Sequence, residues 1–336
     1  MSLSPLLRSR LVRYAELAPC TNAFIDARSP GSDKKENFTI IGAGVAENPR
    51  QHVHIREPHG FNIGGARQPP GCTNSLHSHD TAEVFIILNG AWRFFWGEAG
   101  DAGSVALYAG DTISLPIHMF RGFENIGTQK SFMFAVLGGD DPGRVHWAPH
   151  VIEKARSSGL VLLENGNLID TTLGEVVPSG EAVVQPSSPA EIAYIRSPSV
   201  DEVSARVVRH QALCANRASP LAASGVRESA IIGVGGSSDN VEPAPINNAH
   251  GFTLRHLALD KGAKTTLHAR DSVEVLLVHR GHVRWQNKAG ESALLGAGDT
   301  FSIPRGMPRQ LVALSHTEIF VVRGGDDPGP AVAHRA

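Results

Sequence analysis

The sequence predicts an all-β protein made of two tandem copies of one unit. Three observations predict it. A twenty-residue pattern occurs twice with unchanged spacing, once from Gly71 to Gly90 and again from Gly262 to Gly281. Its apolar segments are short, β-branched and aromatic, and are separated by Gly, Asn and Asp, as strands and turns require. Helix signals are confined to the joints between these segments.

The repeat extends beyond that pattern, as a duplicated architecture demands. Residues of the second copy lie 191 positions after their counterparts: Ile40 and Ile231, His59 and His250, His77 and His268, Glu83 and Glu274. The offset falls to 188 at Pro116 and Pro304, and to 186 at Gly138 and Gly324. The missing residues fall between motifs, where loops tolerate deletion. A chain of 336 residues suits two domains of about 150 residues each. The expected partition is a first domain over 1–148, a helix and hairpin linker over 149–200, and a second domain over 201–336.

In chain order, expected strands of the first copy begin at Glu83, Trp92, Thr112 and Ser131; those of the second begin at Val275, Val283, Thr300 and Ile319. Trp92, Phe94 and Trp96 alternate along one strand and read as core. Pro149 to Gly159 reads as a helix, with Pro near its start and Gly past its end. The segment Leu160 to Asp170 reads as a hairpin turning at Asn165-Gly166. Ser199, followed by Asp201 and Glu202, reads as the capped start of another short helix.

Charged residues are 19% and the net charge is −2, so bulk charge recruits neither nucleic acid nor an anionic membrane. No apolar run reaches the roughly 18 residues of a spanning helix, and no secretory signal is evident. The expected location is the cytoplasm. Three cysteines are too few for a disulfide framework; Cys20 and Cys214 occupy matching repeat positions and read as small buried residues.

The chemistry concentrates in the first copy. His77 and His79 are two apart, so on a strand they share a face. Glu83 follows a short turn and can aim into the same pocket, and Phe85 shares its strand face. Two imidazoles and a carboxylate make the facial triad suited to Fe(II); Mn(II), Ni(II), Zn(II) or Co(II) also fit, since affinity order alone does not select the metal. In the second copy Arg270 replaces His79, and guanidinium has donors only. That copy reads as a degenerate site of His268, Arg270, Glu274 and Arg309. His52 and His54 repeat the His-x-His spacing without a following carboxylate and read as ordinary strand residues. His59 and His250 each precede Gly and read as turn residues.

The pattern Gly71, His77, His79, Glu83, Gly90, followed by Gly110 and Pro116, resembles the two motifs of the cupin superfamily, and the duplication resembles a bicupin. The resemblance implies two tandem double-stranded β-helix barrels with a few short helices, each enclosing a pocket lined by alternate residues. The second motif departs from the family. His118 stands where Gly is usual, and Arg121 stands where the fourth ligand, a His, is usual; Arg309 matches Arg121 in the second copy. By the pattern, Arg121 lies near the triad. Either it grips an anionic substrate, or it pairs with Glu83 in place of a metal. His118 lies in the preceding turn, either as a substitute ligand or general acid, or as an exposed turn residue.

The expected function is therefore a metal-dependent enzyme acting on a small carboxylated organic substrate, aromatic acids included, in the first barrel. The leading reaction is that of a dioxygenase, with partial resemblance to ring-cleaving bicupins, which typically ligate with three His. Alternatives are a metal-dependent lyase, decarboxylase or isomerase, and a non-enzymatic small-molecule binding or sensor protein. The expected partner is a small anionic molecule, with no nucleic acid or membrane; self-association into a homo-oligomer stays open.

Overall fold

A computed structural model describes residues 3–215, 219–235 and 244–334. The chain divides into two compact units, one of residues 18–56 and 62–207 and the other of 1–17, 57–61 and 208–336. This differs from the expected partition for physical reasons. Leu11–Val12 forms an edge strand against Thr300 and Phe301, and Leu7 is buried in the same core. The helix Pro149–Ser157 instead buries Val151, Ile152 and Ala155 against Leu76, Phe120 and Trp147.

The unit carrying the first copy has two sheets. One runs in the order Thr112–Leu115, Glu83–Ile87, Ser131–Gly138, Phe61–Gln68, Glu36–Ile41 and Val53–Ile55. The other runs Val145–Trp147, Thr73–His79, Arg121–Asn125, Ala91–Trp96 and Gly103–Tyr108. Phe85, Ile87 and Met133 of the first sheet pack on Trp92, Phe94, Trp96 and Phe123 of the second. Fully burying one such aromatic contributes about 1.5–3 kcal/mol, so this layer holds the sheets together. Trp96 donates its indole N–H to the Pro198 carbonyl at 2.8 Å, which satisfies a buried donor.

The second unit repeats the plan. Its larger sheet runs Leu11–Val12, Thr300–Ile303, Glu274–Arg280, Thr317–Gly324, Phe252–Leu259 and Val226–Ile232; its smaller sheet runs Ser292–Gly296, His282–Asn287, Arg309–Ala313, His268–Ala269 and Val332–Ala333. Leu257, Leu276 and Val278 meet Val283, Trp285 and Leu311 between them.

The register repeats as well as the order. Asn37 pairs with Ala66 and Thr39 with Gly64; in the other unit Glu228 pairs with Leu257 and Ala230 with Arg255. Both ladders shift register at the same place, between Thr39 and Ile41 and between Ala230 and Ile232. A bulge re-aims every side chain beyond it, so its retention keeps inward and outward positions equivalent in the two copies.

The joints follow the expected elements. Gly159 has φ 82° beyond the helix Pro149–Ser157. Leu160–Leu162 and Leu168–Asp170 form the hairpin. Ser199 caps Val200–Ser204 reciprocally with Glu202. The cysteines depart from expectation: Cys20 is half-buried and Cys214 exposed, because neither sits inside a strand face. Among the described residues, no helix is long and apolar enough to cross a membrane.

Candidate metal centre

His77 and His79 end the strand Thr73–His79, whose neighbours fix both. Arg121 pairs with His77 on one side; Trp147 and Val145 pair with His77 and His79 on the other. Glu83 opens the next strand, opposite Leu115 and Leu137. All three side chains are buried. Their ligand atoms lie within 4.8 Å of one another.

One carboxylate oxygen is the focus. Glu83 Oε2 lies 3.5 Å from His79 Nε2, 4.0 Å from His77 Nε2 and 3.2 Å from the Arg121 Nη2 that donates to it. The other ring nitrogens are engaged by the backbone. His77 Nδ1 meets the Ser75 carbonyl at 2.7 Å, and His79 Nδ1 meets the Arg144 carbonyl at 3.3 Å. A carbonyl only accepts, so each Nδ1 carries the proton and each Nε2 turns a lone pair toward Glu83.

The charges suit a cation. Burial pushes both imidazoles down, His77 well below the usual histidine value, and the Arg121 guanidinium pushes them further. Burial opposes ionisation of Glu83, but its neighbours, among them the permanently charged Arg121, outweigh it and hold the carboxyl below its usual value. Two neutral imidazoles and an ionised carboxylate are the protonation states a metal needs. Arg121 competes for Oε2, yet a carboxylate offers about four lone-pair sites and can serve both. The residues fit a divalent metal held by His77, His79 and Glu83.

These ligands line a cavity of about 80 Å³ whose other walls include Phe38, Phe85, Phe123, Leu137 and Trp147. Phe85 therefore lies where its strand face predicts. Arg121 does not line the cavity. It is fully buried behind Glu83, with Nη1 directed at the carbonyls of Met119 and His77 at 3.3 and 3.5 Å. His118 is not brought to the triad. It is exposed, at φ 54°, in the turn before Arg121, and its carbonyl accepts from Arg196 N at 2.6 Å. Of the alternatives open for each, Arg121 is found paired with Glu83 and His118 in an exposed turn; neither lines the cavity, so the expected substrate-binding roles of both find no support in this geometry.

Two groups near the centre have no sequence signature. Trp147 lies 5.4 Å from the His77 ring and donates to Glu47 at 2.5 Å. Burial pushes Glu47 up to about 8, against that hydrogen bond and one from Ile25 N. Buried Lys35, paired with Asp26, donates to Asn74 at 2.7 Å; Asn74 Nδ2 lies 3.3 Å from His77 Nδ1. Asn74 lies inside the repeated Gly71–Gly90 pattern, whereas Asp26, Lys35, Glu47 and Trp147 lie outside it.

The second copy keeps the scaffold and changes the chemistry. His268 Nδ1 meets the Thr266 carbonyl at 2.8 Å, as His77 meets Ser75. Glu274, however, is ringed by arginines. Arg309 Nη2 lies 2.6 Å from Oε1, and Arg323 Nε and Arg270 Nε lie 2.9 and 3.4 Å from Oε2. Arg323 also reaches Glu228 at 2.7 Å. Arg323 and Glu228 escape a motif search. They stand out only when the repeats are aligned, because their counterparts are Leu137 and Asn37, both of which line the first cavity. Burial, then Arg309, pushes His268 down to about 4, and the arginines outweigh burial to hold Glu274 well below the carboxylate range.

No protein-family model and no curated protein matches the chain. Solved structures do. An oxalate decarboxylase from Lactobacillus farciminis, in a formate complex, is 12% identical with a TM-score of 0.56, over 99% of this chain and 89% of that one. Vicilin from hazelnut, Corylus avellana, is 12% identical with a TM-score of 0.53, over 97% and 88%. An oxalate decarboxylase from Bacillus subtilis at pH 4.6 is 13% identical with a TM-score of 0.55, over 96% and 78%. At these identities the likeness shows the fold alone: the chain has an all-β, two-barrel bicupin fold.

Proposed function

We propose that the first unit is a metal-dependent enzyme acting on a small organic acid, with the metal held by His77, His79 and Glu83. The observation that carries this is the convergence of two neutral imidazoles and one ionised carboxylate on an apolar cavity. When bound, the metal supplies a Lewis acid that takes an anionic oxygen of the substrate. The chain's own residues do the rest. Ser75 and Arg144 carbonyls orient the imidazoles. Arg121 keeps Glu83 ionised. Phe38, Phe85 and Phe123 exclude water and strengthen electrostatics at the centre. Glu83 is the only charged side chain on the described lining, so a metal held there, and not Arg121, would supply the positive charge for a substrate carboxylate.

The ligand set favours dioxygenase chemistry, because two His and one carboxylate is the arrangement of non-haem Fe(II) oxygenases. A redox-neutral decarboxylation is the second reading. The small cavity and the fold shared with oxalate decarboxylases favour it, although fold alone is a weak warrant for reaction type. The test is turnover of a panel of small mono- and dicarboxylic acids by protein loaded with Fe(II) or Mn(II), following dissolved oxygen and released CO₂ together. Oxygen uptake in step with substrate loss is the expected result. CO₂ release without oxygen uptake selects the second reading, and binding without turnover removes both.

A further inference from the structure

The larger sheet of the second unit has an inner face, bearing Glu274, Leu276 and Val278, and an outer face bearing the alternate residues. On that outer face three adjacent strands place His256, His279 and Glu318 together, and His210 of the short 3₁₀ turn His210–Ala212 covers them. His210 Nε2 lies 2.7 Å and His256 Nε2 3.4 Å from Glu318 Oε2. The His210 ring lies 5.4 Å from that of His256 and 5.7 Å from that of His279. Ligand atoms of His210, His279 and Glu318 lie within 4.8 Å of one another.

We infer that His210, His256, His279 and Glu318 form a binding site for Zn²⁺ or a similar imidazole-preferring divalent cation, separate from the centre in the first unit.

Two further observations support the site. His256 and His279 are each more than nine-tenths buried; His279 Nδ1 has no hydrogen-bond partner, and His256 Nε2 has only the 3.4 Å approach to Glu318, which lacks hydrogen-bond geometry. Buried polar atoms without partners are uncommon and call for an explanation such as an ion. The repeat gives the second. The positions of His256, His279 and Glu318 are held in the first copy by Gly65, Leu88 and Phe132. There Phe132 occupies the space above Gly65, so the same outer face is closed by apolar packing. A sheet of this design needs no ligand-type residues at these positions, yet the second copy has three.

The chemistry fits Zn²⁺. Three or four N and O donors at about 2.0–2.2 Å in a tetrahedron are its usual set. Burial pushes His256 down and His279 down to about 4, leaving their rings neutral for ligation. The other ion-pair partners of Glu318 sit on one side of its carboxylate. Arg280 and His316 take its Oε1, the latter at 3.2 Å, leaving Oε2 to His210 and His256. Arg280 is about half exposed, so its charge is partly screened by solvent. His210 is a quarter exposed and provides the approach for an ion.

The test is titration of the full chain, stripped with a chelator, with Zn²⁺ and separately with Co²⁺. His77→Ala/His79→Ala is expected to keep one saturable equivalent with the visible d–d bands of tetrahedral Co²⁺. Adding His210→Ala should weaken that equivalent by at least about tenfold, the scale on which losing even a supporting contact acts. His210 is the least buried of the four, so this variant disturbs packing least. His210→Ala alone should bind one of its equivalents at least about tenfold more weakly than wild type, which keeps the test decisive if the other variant does not fold. No equivalent in the folded His77→Ala/His79→Ala protein, or equal binding with and without His210→Ala, overturns the site.

Discussion

Arg323 stands opposite Glu274 in the second unit's sheet and donates to its carboxylate at 2.9 Å; the residue at the same place in the first unit, opposite Glu83, is Leu137. One position thus separates a carboxylate that faces an apolar cavity from a carboxylate locked in an ion-pair network. Arg270 for His79 removes a ligand. Arg323 and Glu228, for Leu137 and Asn37, put charged side chains where the first copy has cavity wall.

Restoring the ligand alone will therefore not restore the centre. Arg270→His recreates the His-x-His spacing but leaves Arg309 and Arg323 on Glu274. It is expected to gain no metal equivalent by calorimetric titration. Arg270→His/Arg323→Leu/Glu228→Asn, which copies the first unit's lining, is expected to gain one.

Breaking the network should cost stability. Glu274→Gln leaves Arg309, Arg323 and Arg270 buried without their shared anion. Removing one partner of a buried pair typically costs about 3–5 kcal/mol, readable as a lower urea midpoint. Substrate turnover per folded molecule should be unchanged, since none of these residues touches the first unit's cavity.

Much of this was legible in the sequence. The His77, His79 and Glu83 triad is carried by local spacing on two consecutive strands, so period-2 alternation alone brings it together. The barrels are legible because Trp92, Phe94 and Trp96 and their neighbours alternate in the same way. Spacing leaves open whether Arg121 grips a substrate or pairs with Glu83; in the fold it donates to Glu83 and lies off the cavity lining, which depends on packing that spacing does not reveal. His118 sits at positive φ in an exposed turn, a local conformation that spacing does not reveal either. His210, His256, His279 and Glu318 come from four separate elements, so only strand pairing assembles them.

Arg121 is expected to act through Glu83 rather than on substrate. Arg121→Met leaves the Glu83 carboxylate buried without its guanidinium and should destabilise the metal-free protein by about 3–5 kcal/mol. Added divalent metal should recover part of that loss, because the metal then supplies the missing positive charge. Calorimetric melting with and without metal checks both.

Acid should destabilise the second unit through His268. Its folded value is about 4 against 6.5 for the free side chain, so between those pH values the unfolded chain binds the extra proton. Stability is then full above about pH 6.5 and falls as pH drops toward about 4, by at most about 3 kcal/mol. Urea unfolding in chelator from pH 7 to pH 4 should show a shallower fall for His268→Asn than for wild type.

Elemental analysis of protein purified without added metal or affinity tag tests the central claim most directly. Wild type and His268→Ala should carry the same metal content, and His77→Ala/His79→Ala should carry one equivalent less. Equal content in wild type and His77→Ala/His79→Ala would contradict a metal centre at His77, His79 and Glu83.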